Sequence, residues 1–311
     1  MSLSHAYGTP PDKNYATQVL NEALDLGYSM LDTAALYGFG ANETLIGEVL
    51  AHRRDEYFLA SKGGMFKNDA GVREINGHPD MVRKTCEDSL KRLKTDVIDL
   101  YYLHRWDRNV PIEDSVGELS RLVEEGKIKS IGLSEVSEQT LRKAHAVHPI
   151  AALQTEYSLW TRNPEIAVLD ACKELGTTFV AFSPVARGFL TGTPKGFDAF
   201  EEKDIRRNMP RFYPENFDKN MQIYSQIAEI ANKENCTVAQ LSLAWLLGRG
   251  DHILPIPGTT SLEHLRENFL AINLNLSPES YEKLDAIINN STVNGTRYND
   301  ATQVEIDTEE F

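Results

Sequence analysis

Four side chains that could together protonate a carbonyl oxygen are spaced along the first third of the chain: Asp32, Tyr37, Lys62 and His104. A tyrosine hydroxyl, with a reference pKa of about 10, is a weak acid at neutral pH, and an adjacent ammonium group lowers that pKa. We therefore predict that Tyr37 donates the proton and that Lys62 tunes it. Asp32 would keep Lys62 charged and oriented. His104 would hydrogen-bond the oxygen on which charge develops.

Each of these residues also has an ordinary structural explanation. An Asp and a Lys at strand ends often form a structural ion pair, and a tyrosine before glycine often belongs to a turn. A histidine at a strand end is often simply a satisfied polar group. Their order along the chain, at the ends of successive predicted strands, favours the catalytic interpretation.

The elements that would position these residues are repeated strand–helix units. Short apolar runs alternate with amphipathic segments, which is typical of a parallel sheet covered by helices. Seven runs are predicted as strands, namely 28–31, 57–60, 97–103, 128–133, 151–154, 177–182 and 252–256. The pattern predicts an α/β fold of the (β/α)8 TIM barrel type, in which active sites lie at the carboxyl ends of the strands.

Helix signals fall between the strands. Residues 82–93 and 112–123 each carry one apolar stripe, and Gly126 ends the second of these helices. Residues 237–247 are strongly apolar and predict a helix of the barrel wall. Ser277 and Pro278 predict the start of an extra helix that reaches about residue 288. Residues 184–214 are interpreted as an extended loop with a functional role.

Several motifs resemble those of the aldo-keto reductase family, in the same order. The active-site signature is similar to residues 32–38, followed by Asn42 and Glu43. The other matching pieces are 61–62, 103–104, 132–134, 182–184, 256–259 and 267–268. The resemblance reaches about residue 290 and is strongest to the branch of aryl-alcohol dehydrogenases and pyridoxal reductases. It implies an NAD(P)H-dependent oxidoreductase that reduces aldehydes or ketones to alcohols.

The resemblance also implies a cofactor site. Ser134 and Gln154 would hold the nicotinamide carboxamide, although Glu135 stands where the family more commonly has asparagine. Phe182 would stack on the ring, and the loop after it would wrap the pyrophosphate, with Arg187 as its charge partner or as a solvated loop residue. The full predicted set is Ser134, Gln154, Phe182, Ser183, Pro184, Arg187, Gly188, Leu190, Gly258, Thr259, Thr260, Ser261, His264, Glu267 and Asn268.

The last seven of these residues surround the start of a predicted helix, where backbone amides and hydroxyls suit the 2′-phosphate of NADP. Ser261 would cap that helix in any case. Many family members carry lysine and arginine where Gly258 and His264 stand here. We therefore predict that NADPH is preferred over NADH by a smaller margin than usual. Glu267 and Asn268 would contact the adenine.

The start of the chain departs from the family pattern. The resemblance implies an N-terminal hairpin and a first strand, and residues 1–4 align only with the end of that strand. We expect seven clear strands where the barrel needs eight. Either the natural start lies upstream or another segment or chain fills the gap, and the first explanation is favoured.

Composition narrows the classes of function. A net charge of −14 argues against binding nucleic acid or a membrane surface. The three scattered cysteines, together with an N-terminus that does not resemble a signal peptide, favour the cytoplasm. No metal site is predicted. Tyr7, Phe66 and Trp106 would line an apolar pocket for a small carbonyl substrate, or simply pack beneath loops.

Two further predictions concern organisation. Residues 1–288 would form one barrel domain, and residues 289–311 a polar, acidic tail that lies over one face or is disordered. The alternative function is a cofactor-binding regulatory subunit with little turnover. The oligomeric state and the physiological substrate stay open.

Overall fold

A parallel sheet of seven strands forms a nearly closed barrel in the computed structural model, which describes residues 1–68, 71–192 and 195–311. The barrel strands are β1 (Met30–Asp32), β2 (Phe58–Gly63), β5 (Ile98–Leu103), β6 (Ile128–Ser134), β7 (Ile150–Glu156), β8 (Thr178–Phe182) and β9 (Ile253–Ile256), paired in that order. A short antiparallel hairpin, β3 (Met65–Lys67) and β4 (Arg73–Ile75), follows β2. All seven predicted strands are confirmed, and the predicted barrel fold with them.

Helices surround the sheet. They are α1 (Lys13–Leu26), α2 (Ala41–Leu50), α3 (Pro79–Leu93), α4 (Ile112–Glu124), α5 (Glu138–Val147), α6 (Val168–Leu175), α7 (Pro214–Lys233), α8 (Val238–Leu247), α9 (Leu262–Leu270), α10 (Pro278–Ile287) and α11 (Asp300–Gln303). The predicted cap of α10 is observed, with Ser277 ahead of Pro278, and α8 also begins with a capping box formed by Thr237. Within the described ranges, no helix is long and apolar enough to cross a membrane.

Alternation along the strands divides the core into two layers. Leu59, Leu133 and Leu153 belong to the large cluster that includes the apolar faces of the helices. Ala60, Leu100, Tyr102, Ala152 and Val180 form a separate cluster from alternate strand positions. This second cluster fills the barrel interior, because successive side chains of a strand point to opposite faces.

The two edges of the sheet are β1 and β9, which do not pair with each other in the described part of the chain. The first nine residues, which form turns and bends, lie beside the loop that follows β1. There the Ser4 hydroxyl accepts a hydrogen bond from Asn42 (2.9 Å), and His5 Nδ1 accepts one from the Gly38 amide (3.2 Å). Within the described residues the barrel sheet thus has seven strands, the number predicted from the sequence.

The segment after α10 is folded back onto the barrel. Tyr298 and Ile306 are buried within the main core cluster, and Arg297 is 5 % exposed. The Asp307 carboxylate accepts hydrogen bonds from Ser137 and Thr140 at the start of α5. Residues 289–311 thus lie over the end of the barrel where the strands finish.

Most of the predicted long loop at 184–214 is confirmed as short turns without strands, although residues 193 and 194 lie outside the described residues. The sequence interpretation missed α7, which follows this loop and has 20 residues. Its signal was present, because Pro214 begins the helix and Ile223, Ile227 and Ile230 recur on its buried face.

Candidate active site

The carboxyl ends of three neighbouring strands bring the four predicted catalytic residues together. Asp32 ends β1, Lys62 is the penultimate residue of β2, and His104 directly follows β5. Tyr37 lies in the turn after β1. Its amide donates to the Ala34 carbonyl (3.0 Å), and Ala35 in turn donates to the Lys62 carbonyl (3.0 Å), so this turn is fastened to β2.

Lys62 is the centre of the cluster. Its side chain is fully buried, and Nζ donates to the Asp32 carboxylate, the Thr33 carbonyl (2.8 Å) and the Tyr37 hydroxyl (3.3 Å). Burial alone would lower the pKa of Lys62, but Asp32 and Tyr37 outweigh it and the net shift is upward. Lys62 is therefore a stable ammonium in contact with the Tyr37 oxygen.

Burial raises the pKa of Tyr37, and the opposing effect of Lys62 offsets this only in part. The sequence predicted a lowered pKa, so the net direction was wrong, although the Lys62 contribution has the predicted sign. The reason is desolvation of the phenolate, which composition and spacing do not reveal. At neutral pH the hydroxyl carries its proton, as a proton donor must.

His104 faces Tyr37 edge to face, with ring centroids 5.8 Å apart. Burial, reinforced by the positive charges of Arg105 and Lys62, holds its pKa well below the usual value, so the ring is neutral. Its Nδ1 atom is buried without a hydrogen-bond partner among the described residues. Buried polar atoms normally have a hydrogen-bond partner, so Nδ1 is a candidate contact for a ligand.

The loop that carries Tyr37 is held by buried polar contacts. Asn42 accepts a hydrogen bond from Thr33 (2.8 Å). The Glu43 carboxylate accepts from Ser61 (2.5 Å) on β2 and from Arg92 (2.7 Å) on α3. These contacts explain why an amide and a carboxylate follow the tyrosine at this spacing.

Ser134 and Gln154, the residues predicted to hold the nicotinamide, are direct neighbours across β6 and β7. Gln154 Nε2 donates to Asp32 Oδ2 (2.7 Å), which links this pair to the catalytic cluster. Phe182 ends β8, next along the sheet. Ser134, Gln154 and Phe182 thus lie at the carboxyl ends of three neighbouring strands, and Gln154 contacts the Asp32 that holds Lys62.

The loop after β8 has an unusual backbone. Ser183, Ala186 and Arg187 have φ values of 52°, 51° and 56°, and Gly188 follows at 91°. Left-handed conformations at non-glycine residues are sparsely populated and cluster at functional sites. Pro184 lies within this turn, and Leu190 is fully buried and anchors it to the core.

Arg187 differs from both sequence interpretations. Its side chain is 7 % exposed, so it is not a solvated loop residue. It donates to the Glu156 carboxylate (2.7 Å) and to the Tyr298 hydroxyl (3.1 Å) and is therefore not a free partner for a pyrophosphate in this structure. Burial opposes the charge, but Glu156 and the tyrosines Tyr298 and Tyr7 raise its pKa well above the usual value.

The predicted phosphate region lies at the start of α9. Ser261 caps the helix by accepting from the His264 amide (3.3 Å), and Thr259 accepts from the Ser261 amide (3.0 Å). The remaining predicted residues of this region are Gly258 and Thr260, just before the helix, and Glu267 and Asn268 within it. The helix has nine residues, and its first turn is already partly paired, since the Leu265 amide donates to the Ser261 carbonyl (2.9 Å).

The three predicted pocket aromatics are placed differently from one another. Trp106 donates to the Val110 carbonyl (2.9 Å) and packs against the core, which fits the alternative of packing beneath a loop. Phe66 lies on β3 and is partly exposed. Tyr7 lies under Arg206, whose guanidinium is 5.2 Å from its ring centroid.

Four charged residues near the site were not among the predicted site residues: Glu135, Glu156, Arg297 and Arg105. Glu135 accepts from Arg297, which also donates to Glu156 (3.0 Å). Glu135 therefore faces the tail, which accounts for its departure from the family's usual asparagine. Arg105, next to His104, donates to the Ser134 hydroxyl (3.2 Å). Its position directly after a strand end was the signal that could have identified it.

No group of three or more histidine, cysteine, aspartate or glutamate side chains within the described ranges could hold a metal ion. The cysteines are free, and Cys86 and Cys172 are buried.

Comparison with known proteins gives a consistent result. The model of the Aldo/keto reductase family matches residues 1–289. A Schizosaccharomyces pombe protein named aldo-keto reductase yakc, NADP(+), is 47 % identical over 96 % of this chain and 89 % of its own length. The chain belongs to the aldo-keto reductase family, and the predicted family and enzyme class, an oxidoreductase, are confirmed.

Solved structures that are similar to this chain support the same conclusion. Glycerol dehydrogenase from Gluconobacter oxydans is similar with a TM-score of 0.84 and 28 % identity, over 92 % of this chain and 88 % of that one. An aldo/keto reductase from Klebsiella pneumoniae, solved in complex with NADP and acetate, has a TM-score of 0.71 and 28 % identity, over 92 % of this chain and 89 % of that one.

Proposed function

We propose that this protein is an NADPH-preferring reductase that converts aldehydes or ketones to alcohols, with Tyr37 as the general acid. The contact that carries the proposal is the one between Lys62 Nζ and the Tyr37 hydroxyl (3.3 Å), beside the neutral ring of His104. A protonated phenol next to a buried ammonium can give its proton to a nascent alkoxide, since the ammonium stabilises the phenolate that results.

A bound nicotinamide cofactor would supply the hydride that adds to the carbonyl carbon. Ser134, Gln154 and Phe182 would hold its nicotinamide, and the amides at the start of α9 would hold the 2′-phosphate. The prediction of NADP agrees with the name of the Schizosaccharomyces pombe relative, which includes NADP(+), and with the Klebsiella pneumoniae structure, which was solved with NADP. NADH would also be used, because the α9 terminus offers Gly258 and the exposed His264 in place of fixed cations.

Each of the other three residues has one task. Asp32 holds Lys62 in its charged form and in line with Tyr37. His104 lacks a partner at buried Nδ1 and, as a neutral ring, would donate a hydrogen bond from one nitrogen to the substrate oxygen. A small-molecule carbonyl is the only other partner that the proposal requires.

The test is Tyr37→Phe, followed by nicotinamide absorbance with NADPH and an aromatic aldehyde. We expect kcat to fall by about 10²–10⁴-fold, the usual contribution of a positioned acid, with NADPH affinity retained. Tyr102→Phe is the matched control, because its ring lies 5.7 Å from the same ammonium but inside the barrel. It should keep normal turnover.

Full activity of the Tyr37 variant would refute the assigned role. If the unmodified protein binds NADPH tightly but turns over no aldehyde or ketone from a broad panel, the regulatory-subunit alternative is favoured instead.

A further inference from the structure

Arg105 is a cation at the mouth of the active site that has no carboxylate partner in the described part of the chain. It directly follows His104 at the end of β5. Its Nη1 atom donates to the His104 carbonyl (2.8 Å) and to the Ser134 hydroxyl (3.2 Å). Its Nε atom is buried and makes no hydrogen bond with any described residue. The guanidinium is thus held by hydrogen bonds at Nη1, whereas Nε has no partner among the described residues.

Three other cations are paired with carboxylates. Lys62 contacts Asp32, Arg73 contacts Glu305, and Arg187 contacts Glu156. Charged groups that are half-buried or more normally have such a partner, because removing a charge from water is costly. In a chain of net charge −14, acidic side chains are abundant. The missing counter-charge at Arg105 therefore points to a ligand.

Arg105 is also close to the reacting groups. It directly follows His104 and contacts Ser134, and after burial its charge is the leading contribution that lowers the pKa of His104, whereas its effect on the pKa of Tyr37 is small beside those of burial, Lys62 and Asp32. An anion bound to this guanidinium would therefore lie beside the position of the carbonyl oxygen. It would have to belong to the same molecule as the carbonyl.

We propose that Arg105 binds an anionic group of the substrate, a carboxylate or a phosphate, so that the enzyme selects aldehydes or ketones that carry one. A guanidinium presents planar, directed N–H groups that match both kinds of anion. This inference rests on the proposed function, since it names the substrate class of the same site. It also gives Arg105 a role in specificity rather than in proton transfer.

The experiment compares three aldehydes that share a ring: 4-carboxybenzaldehyde, its neutral methyl ester, and 4-formylphenyl phosphate. With the unmodified protein we expect kcat/KM to be about ten- to hundredfold higher for at least one anion than for the ester, mainly through KM, as for one charge-assisted hydrogen bond. Added salt should reduce the advantage. The two anions show which group is preferred.

The test variant is Arg105→Met, in which kcat/KM for the anions should no longer exceed kcat/KM for the ester. Arg105→Lys keeps the charge and should restore part of this difference. The matched control is Arg108→Gln, three residues further along the same loop. Arg108 lies against Trp106 and near Asp307 and does not contact the tetrad. Its loss should leave the ratio unchanged.

The outcomes are distinguishable. If none of the three aldehydes is reduced, the proposed function fails. If kcat/KM for the ester equals kcat/KM for both anions, the reductase activity stands and the role of Arg105 is refuted. The role of Arg105 is also refuted if the Arg105→Met variant loses kcat/KM equally for the ester and the anions. That result would mean that Arg105 only supports Ser134 and His104. If the Met variant does not fold, the ratio and salt dependence of the unmodified protein decide.

Discussion

The buried ion cluster beneath the tail is expected to be a major source of stability, and Arg297→Met tests this. Arg297 is 3 % exposed at its side chain and contacts two carboxylates, Glu135 and Glu156, which are 0 % and 5 % exposed. Methionine fills a similar volume without a charge. The substitution leaves Glu135 with one hydrogen bond, from the Glu156 amide (3.0 Å), while Arg187 still neutralises Glu156.

Breaking a buried pair by removing one partner costs about 3–5 kcal/mol, because the other charge stays desolvated. At about 2.1 cal/mol/K per residue, the unfolding entropy of a chain of 311 residues is about 0.65 kcal/mol/K. The expected fall in melting temperature is therefore about 5–8 °C. Differential scanning calorimetry at neutral pH measures it. Turnover by the folded variant should persist, since Arg297 touches none of the four catalytic residues.

The matched control is Arg142→Met, which also removes an arginine that contacts two carboxylates. Arg142 is 41 % exposed and pairs with Glu138 and Glu174 on the surface, where such pairs contribute about 0–1 kcal/mol. Adding Glu135→Gln to the Arg297 variant should recover part of the loss, because it removes the unpaired charge. If the melting temperature of Arg297→Met falls no further than that of Arg142→Met, the reasoning is refuted.

Two further predictions concern charge. Lys62→Met should lower kcat by about 10²–10⁴-fold while NADPH affinity, measured by fluorescence quenching, changes little; unchanged kcat would show that the ammonium does not assist Tyr37. For stability against pH, burial would raise the pKa of Glu156, but Arg187 and Arg297 lower it from 4.5 to about 2. Its contribution is present above pH 4.5 and is lost as the pH falls toward 2, about 3 kcal/mol in all. Unfolding free energies measured across that pH range check this prediction. If the Arg297→Met variant loses as much unfolding free energy over the range as the unmodified protein does, the prediction is contradicted.

The sequence was sufficient to predict the barrel because its strands are covered on both faces. Buried parallel strands appear as short continuous apolar runs, and all seven such runs form strands. Their ends were harder to predict. The strand predicted to end at Gln154 continues to Glu156, since a polar pair at a strand end resembles a loop unless its partners are known.

The partners lie far away in the sequence. Glu135 and Arg297 are separated by 162 positions, so no local pattern connects them. The segment at 289–311 is polar, a composition that also suits a disordered tail. What orders it is the burial of Tyr298 and Ile306 together with the pairing of Arg297.

The same pairing changes how the proposed cofactor site must work. The sequence suggested Arg187 as the charge that holds the pyrophosphate, but Arg187 is already matched by Glu156 within the folded chain. To bind a phosphate it would have to give up this contact, which would leave Glu156 paired with Arg297 alone. The backbone of the turn 183–188 is engaged as well, since the Ala186 and Gly188 amides donate to the Ser183 and Val185 carbonyls (2.8 and 3.1 Å). On the proposed function, a pyrophosphate at this turn therefore requires Arg187 to exchange one of its contacts, whereas Arg105 has no carboxylate to release among the described residues.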